Sequence, residues 1–247
     1  EGCAEVGLRV KLQGLCAGYA GLPDIIRGAG FEVPPRSRTA LVGPPGCGKT
    51  TVFWCLLRLI EPRRGRVLLG GVDVAGTSLP ALREAVGLVP QEAAVLEGSW
   101  RRNADPLGEH SDARVRGALR CVGLARESLD EPLATREGCS LSTGQRQLLS
   151  LARMVLRQPP LLLLDEGPCA PDRAAREATH SALAAEFPLS TVLAAANEPE
   201  AICGFDRVVV LRDGEVVDQV VISDTGGYDS SSESAALIAR AFAPRRL

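Results

Sequence analysis

The chain has 247 residues, 45% of them hydrophobic and 23% charged, enough for one large α/β domain or two small ones with an ordinary globular core. Its formal charge of -2 carries no basic surplus of the kind that marks a nucleic-acid binder. Eight cysteines form no CxxC pair and only His110 and His180 add imidazole, so a zinc site is not expected and the thiols read as reduced and intracellular; no signal peptide is read at the start, and the longest apolar runs, such as residues 161–164, are far short of the ~20 residues of a membrane span.

In chain order, residues 8–13 alternate as a strand. Tyr19 follows in the turn-like stretch Ala17-Gly18-Tyr19-Ala20-Gly21. An aromatic just ahead of a phosphate loop can stack on adenine, but on the residues alone an ordinary half-buried tyrosine is the better reading. Residues 27–33 form a second expected strand, Pro34-Pro35 a turn, and residues 39–42 a short buried strand. That strand runs into Gly43-Pro44-Pro45-Gly46-Cys47-Gly48-Lys49-Thr50-Thr51, which fits GxxxxGK[ST], and residues 52–60 continue as a helix.

The chemistry of that loop follows from its residue types. Glycines let backbone N–H groups converge on oxygens without a Cβ in the way, and the helix N-terminus adds partial positive charge. Lys49 supplies a point charge for β- and γ-phosphates, and Thr50 a hydroxyl for Mg²⁺. A chance glycine-rich turn is the plain alternative, and the strand and helix on either side argue against it. Cys47 lies inside the turn, ahead of the helix and beside Lys49. Both neighbours predict a thiol of lowered pKa, against the alternative of an inert small residue.

Residues 62–65 stop the helix, residues 66–69 form a strand and residues 80–84 a short helix. Residues 86–91 read as a buried strand ending in the amide of Gln91. At the carboxyl end of a strand, in a sheet that holds phosphates, such an amide can reach the metal or its water; the alternative is a polar loop residue. Strand patterning disappears over residues 92–140. Ser111 is placed to cap a helix to about residue 121, with Val115, Ala118, Leu119 and Val122 at helical spacing, so this stretch is expected to be a helical insertion. Leu141-Ser142-Thr143-Gly144-Gln145-Arg146-Gln147 then opens an apolar helix to about residue 156. A Ser-x-Gly at a helix start is a second anion-binding design, and with one phosphate loop already present it suits nucleotide held on another copy or partner.

Residues 161–166 form a fully buried strand, suited to the centre of a parallel sheet, that ends in Asp165 and Glu166. Asp165 is expected to hold Mg²⁺, directly or through water, and Glu166 to polarise a water for attack on a γ-phosphate. Residues 172–187 read as a helix, residues 191–196 as a buried strand ended by Asn197, and residues 206–211 and 215–221 as a hairpin around Asp213-Gly214. Residues 223–234, rich in Ser, Asp and Gly, read as a flexible linker, with a short amphipathic helix expected to close the chain.

The order of phosphate loop, Gln91, LSTGQ and LLLLDE resembles the nucleotide-binding domain of ATP-binding cassette (ABC) proteins, over about residues 8 to 222. VPQEAAVLEGSWRRNADP, LSTGQRQLLSLAR and FDRVVVLRDGEVV are similar to the second cassette of the C-subfamily, or multidrug-resistance-associated, exporters. The resemblance implies an α/β fold: a P-loop NTPase mixed sheet flanked by helices, with an antiparallel β subdomain near the N-terminus and a helical signature subdomain at about residues 92–158. The cassette would occupy residues 1–222, followed by the linker and helix of 223–247.

By the same resemblance ATP and Mg²⁺ are the cofactors. Tyr19 matches the adenine-stacking aromatic, Gly43 to Thr51 the Walker A loop, and Gln91 the glutamine that reaches the metal alongside Thr50 and Asp165. Ser142, Gly144 and Gln145 match the signature that closes on ATP held by a facing cassette. Glu166 matches the catalytic glutamate and Asp172 the D-loop aspartate. The implied partners are a second cassette and the transmembrane domains of a transporter, with the domain at the cytoplasmic face of a membrane, no span of its own and no nucleic acid. The implied activity is ATP hydrolysis coupled to transport.

Three departures from the family pattern stand out. Asn197 occupies the place of the switch histidine and can hydrogen-bond a γ-phosphate but carries no proton. The D-loop stretch Gly167-Pro168-Cys169-Ala170-Pro171-Asp172 contains two prolines, and the stretch before LSTGQ is short. These bear on the hydrolysis rate and leave ATP binding intact. A hydrolysis-poor clamp or regulatory gate is the rival reading, favoured by Asn197 and opposed by Glu166. A soluble cassette ATPase acting on nucleic acid is a further rival, and this chain shows neither the coiled-coil insertion nor the basic tail expected of one.

Overall fold

The computed structural model describes residues 7–135, 138–139, 141–165, 173–197, 202 and 204–222. In chain order the strands begin with β1 (Val10–Ala17), β2 (Ile26–Val33) and β3 (Arg38–Val42), and helix α1 (Lys49–Leu56) follows. Then come β4 (Arg64–Leu69), β5 (Val72–Asp73), α2 (Leu79–Ala85) and β6 (Val86–Val89). The next segment holds β7 (Gly98–Ser99), α3 (Trp100–Ala104), α4 (Asp112–Cys121), β8 (Pro132–Thr135), β9 (Gly138–Cys139) and α5 (Thr143–Arg157). The chain continues through β10 (Leu161–Asp165), α6 (Arg173–Glu186), β11 (Thr191–Ala196), β12 (Arg207–Arg212) and β13 (Glu215–Val221).

The central sheet has the order β13-β12-β3-β11-β10-β6. β12, β3, β11, β10 and β6 run parallel, and β13 closes one edge as an antiparallel hairpin partner of β12. The middles of its inner strands are continuously apolar, as in residues 40–42, 161–164, 192–196 and 208–211, because both faces are covered. Alternate side chains point to opposite faces, and the core divides accordingly. Leu41, Leu161, Leu163, Leu193, Ala195 and Val209 pack towards α1 and the antiparallel sheet β2-β1-β4-β5. Ala40, Leu162, Leu164, Val192, Ala194 and Val208 pack towards α4, α5 and α6 through Leu119, Leu149 and Leu183.

Two glycines fix the antiparallel sheet against this core. Gly48 has φ 109°, and a Cβ there would meet the Ile26 side chain at 2.4 Å. Gly214, at the tip of the β12–β13 hairpin, accepts from the Arg27 N–H at 2.8 Å, and a Cβ on it would lie 1.8 Å from the Ile25 carbonyl. Only glycine adopts such φ values without strain and also permits so close an approach.

Two expectations need correction. Residues 92–140 are not purely helical: β7, β8 and β9 form a small antiparallel sheet there, order β7-β8-β9. The first helix starts earlier than residues 52–60, at Lys49 directly after Gly48, and it ends earlier because Arg58 takes a left-handed backbone, φ 51°. Its guanidinium there donates to the Thr77 carbonyl at 2.7 Å and pairs with Glu61. Ser111 caps α4 and Ser142 caps α5 as their residue types predict. The linker and final helix expected over 223–247 lie outside the described residues.

Candidate functional site

The sheet's register brings four loops to one edge. Val42 pairs with Ala196, Ala195 with Asp165, and Leu164 with Val89. β3, β11, β10 and β6 therefore end almost level, and the residues that follow their carboxyl ends emerge side by side. That is where ligands bind in open parallel sheets. The phosphate loop leaves β3, Gln91 follows β6, Asp165 ends β10 and Asn197 follows β11. A cavity of about 320 Å³ at this edge is lined by Pro45, Gly46, Gly48, Lys49, Thr50, Thr51, Gln91, Asp165 and Asn197, with Tyr19 and Ile25 brought in from the connection between β1 and β2.

Lys49 is buried, 7% exposed, and its ammonium donates to the carbonyls of Gly43 at 2.7 Å and Pro44 at 3.2 Å. The loop's own oxygens thus hold the charge at the cavity wall, where a phosphate oxygen can take over the same donors. The Thr50 hydroxyl donates to Asp165 Oδ1 at 3.1 Å. A hydroxyl and a carboxylate so close, beside a phosphate-sized cradle, form the oxygen donor set that suits Mg²⁺. The first-turn N–H groups of α1, which a helix leaves without intrahelical partners, open onto the same space. The residues present fit a nucleoside triphosphate with a divalent cation.

Other expected site residues stand elsewhere. Gly43, Pro44 and Cys47 belong to the loop but do not line the cavity. The Cys47 thiol is 5% exposed among the core residues on the α1 side, 3.7 Å from Lys49 Nζ. Burial pushes the Cys47 thiol up and outweighs the lowering by the Lys49 charge, so the expectation of a lowered pKa is corrected. Maleimide modification followed by peptide mapping near neutral pH should leave Cys47 unmodified while the exposed Cys121 reacts, with or without MgATP. Rapid labelling of Cys47 would contradict this placement.

Ser142 and Gln145 are engaged with each other in a capping box at the start of α5 (Gln145 N–H to Ser142 Oγ, 3.2 Å; Ser142 N–H to Gln145 Oε1, 3.1 Å). With Gly144 they do not line the cavity. Glu166 and Asp172 lie outside the described residues, as does the proline-containing stretch between them. The histidines have other surroundings: His180 packs edge-on against Phe205 and His110 sits 3.3 Å from Asp105. Neither lines the cavity.

Ile25, Trp54 and Gln147 were not anticipated. Gln147, buried on α5, donates to the Gln91 carbonyl at 3.1 Å, and Arg153 on the same helix donates to the carbonyls of Ala94 and Asn103. The segment after Gln91 is thereby fastened to the helix that starts at Ser142. Gln147 and Arg153, about one and three turns along α5 among its buried apolar residues, were the signal for this.

Comparison with known proteins agrees with this geometry. The family model described as ABC transporter matches residues 26–168, more than half of the chain. ATP-binding cassette sub-family C member 10 of Mus musculus is 39% identical over 80% of this chain, and ABC transporter C family member 5 of Arabidopsis thaliana 35% identical over 80%. The ATP-dependent bile acid permease of Saccharomyces cerevisiae is 31% identical over 84%. The aligned part covers only 13–14% of these relatives' own length. A solved bacterial Atm1-family ABC exporter with ATP bound superposes with TM-score 0.79 at 30% identity, over 86% of this chain and 38% of that one. No helix among the described residues is long and apolar enough to cross a membrane. The chain belongs to the ABC transporter family.

Proposed function

We propose that this chain is the ATP-binding and ATP-hydrolysing domain of an exporter, pairing head to tail with a second cassette and driving transmembrane domains that lie outside it. The observation that carries the reading is the meeting of Lys49, Thr50, Gln91, Asp165 and Asn197 around one cavity with Tyr19 at its rim. In this reading residues 1–222 form the cassette and about 92–158 its helical subdomain. Lys49 and the α1 N-terminus hold the β- and γ-phosphates, and Thr50, Gln91 and Asp165 face the Mg²⁺, which when bound neutralises charge developing on the phosphates. Glu166 takes the proton of the attacking water, giving ADP and phosphate. Ser142, Gly144, Gln145 and Asp172 face the nucleotide of the partner cassette, and the assembly works at the cytoplasmic face of a membrane.

Asn197 favours a second reading, a clamp that binds ATP and pairs but hydrolyses slowly. Phosphate release from MgATP by the purified chain with its partner cassette tests both readings. Weak turnover is expected, and Asn197→His should raise it by roughly 10-fold or more, because imidazole can carry charge beside the developing phosphate. Turnover unchanged by the histidine shows that Asn197 is not the limiting group, and absence of any turnover leaves the clamp.

A further inference from the structure

The loop that carries Tyr19 is held from two sides by residues outside the ABC motifs. Trp54 on α1 meets the Tyr19 ring edge to face, with centroids 5.7 Å apart and planes at 80°, a favoured arrangement for an aromatic pair. Arg63, in the connection from α1 to β4, spans the loop with its guanidinium. Nη2 donates to the carbonyls of Tyr19 at 2.7 Å and Leu22 at 2.8 Å, and Nη1 pairs with Asp24 at 2.7 Å. Its backbone N–H is bonded to the Cys16 carbonyl at 2.8 Å, which anchors the guanidinium's own stem.

Trp54 lies four residues after Thr50 on the same helix, so the two project from one side of α1. A rigid helix thus carries the phosphate-facing residues at its start and the support of the Tyr19 ring one turn later. Tyr19 lines the cavity yet is 38% exposed. Left unsupported, a ring on a glycine-flanked loop would have to be ordered by the nucleotide at a cost to affinity.

We propose that Trp54 and Arg63 are positioning residues for the nucleoside part of the ligand. They hold Tyr19 at a fixed distance from the phosphate loop, so that recognition of the base is prepared before the nucleotide arrives. The proposal rests on the MgATP reading above and adds residues to it.

The test compares a ligand that carries a base with one that does not. Isothermal titration of the purified chain with MgATP and with magnesium tripolyphosphate separates contact with the base from contact with phosphate. Trp54→Leu should weaken MgATP about 3- to 10-fold and leave tripolyphosphate within about 2-fold, while Trp54→Phe, which keeps a ring at the contact, should stay close to wild type. Arg63→Met should act in the same direction as Trp54→Leu. In a Tyr19→Ala background Trp54→Leu should cost nothing further, because the interaction energy of the pair has already been removed. Equal weakening of both ligands by Trp54→Leu would show that Trp54 merely supports α1, and unchanged MgATP affinity would show that Tyr19 needs no support; either result overturns the proposal. A wild-type chain that binds tripolyphosphate no more weakly than MgATP also overturns it, while one that binds neither overturns the MgATP reading itself.

Discussion

Replacing Lys49 with alanine is expected to weaken MgATP binding by on the order of 10²- to 10⁴-fold, from charge-assisted bonds to phosphate worth roughly 1.5–3 kcal/mol each and two such bonds lost. The ammonium is already dehydrated and pointed by the Gly43 and Pro44 carbonyls, so little of its binding energy is spent on ordering it. The fold should survive. The loop keeps its own bonds, from the Cys47 N–H to the Pro44 carbonyl and from the Val52 N–H to the Gly48 carbonyl, and the strand beneath it is held on both sides by β11 and β12. Titration calorimetry and a thermal melt of the same sample check the two halves together. A variant that binds MgATP like wild type would falsify the phosphate-loop assignment.

The second large effect is expected at Glu166. β10 delivers Asp165 into the cavity, and the next residue is the one carboxylate the ABC pattern leaves for handling water. Glu166→Gln keeps the size and polarity of the side chain and removes its basicity, so turnover should fall by roughly 10²- to 10⁴-fold, the usual contribution of a positioned general base. MgATP affinity should stay near wild type, because the amide makes no new charge. Phosphate release and nucleotide titration of the variant, with the partner cassette present, distinguish this from a folding defect. Turnover that persisted in Glu166→Gln would move the search for the base to another group.

The parts of the structure legible in the sequence were those with long apolar runs or fixed spacing. Residues 161–166 and 191–196 read as buried strands from their apolar runs, and the strand and helix on either side of GxxxxGK[ST] argued for a phosphate loop over a chance turn. Ser111 and Ser142 announced their helix starts because a hydroxyl there satisfies a free N–H. What escaped was set by tertiary contact. β7 and β9 are two residues each, too short to show a period. The Cys47 thiol was judged by its sequence neighbours, Lys49 and a helix start, whereas its side chain turns into the core, where desolvation dominates. Ile25 reached the cavity because Gly214 lets the distant hairpin press against it, a contact between segments far apart in the chain. Trp54 read simply as part of an apolar helix, and only the fold shows which aromatic it faces.

The strand order also sets when this site can come into being during synthesis. β3, which carries the phosphate loop, hydrogen-bonds with β11 on one side and β12 on the other: Ala40 lies opposite both Ala194 and Val208. The loop leaves the ribosome before the strands that hold its base in place, which are among the last described elements to emerge. Until then the nascent loop has no sheet to brace it, and Asp165 and Asn197 have no common edge. Pairings this distant in sequence are slow to close. Nucleotide therefore cannot template the early steps of folding here; it can only stabilise a domain whose sheet is already complete.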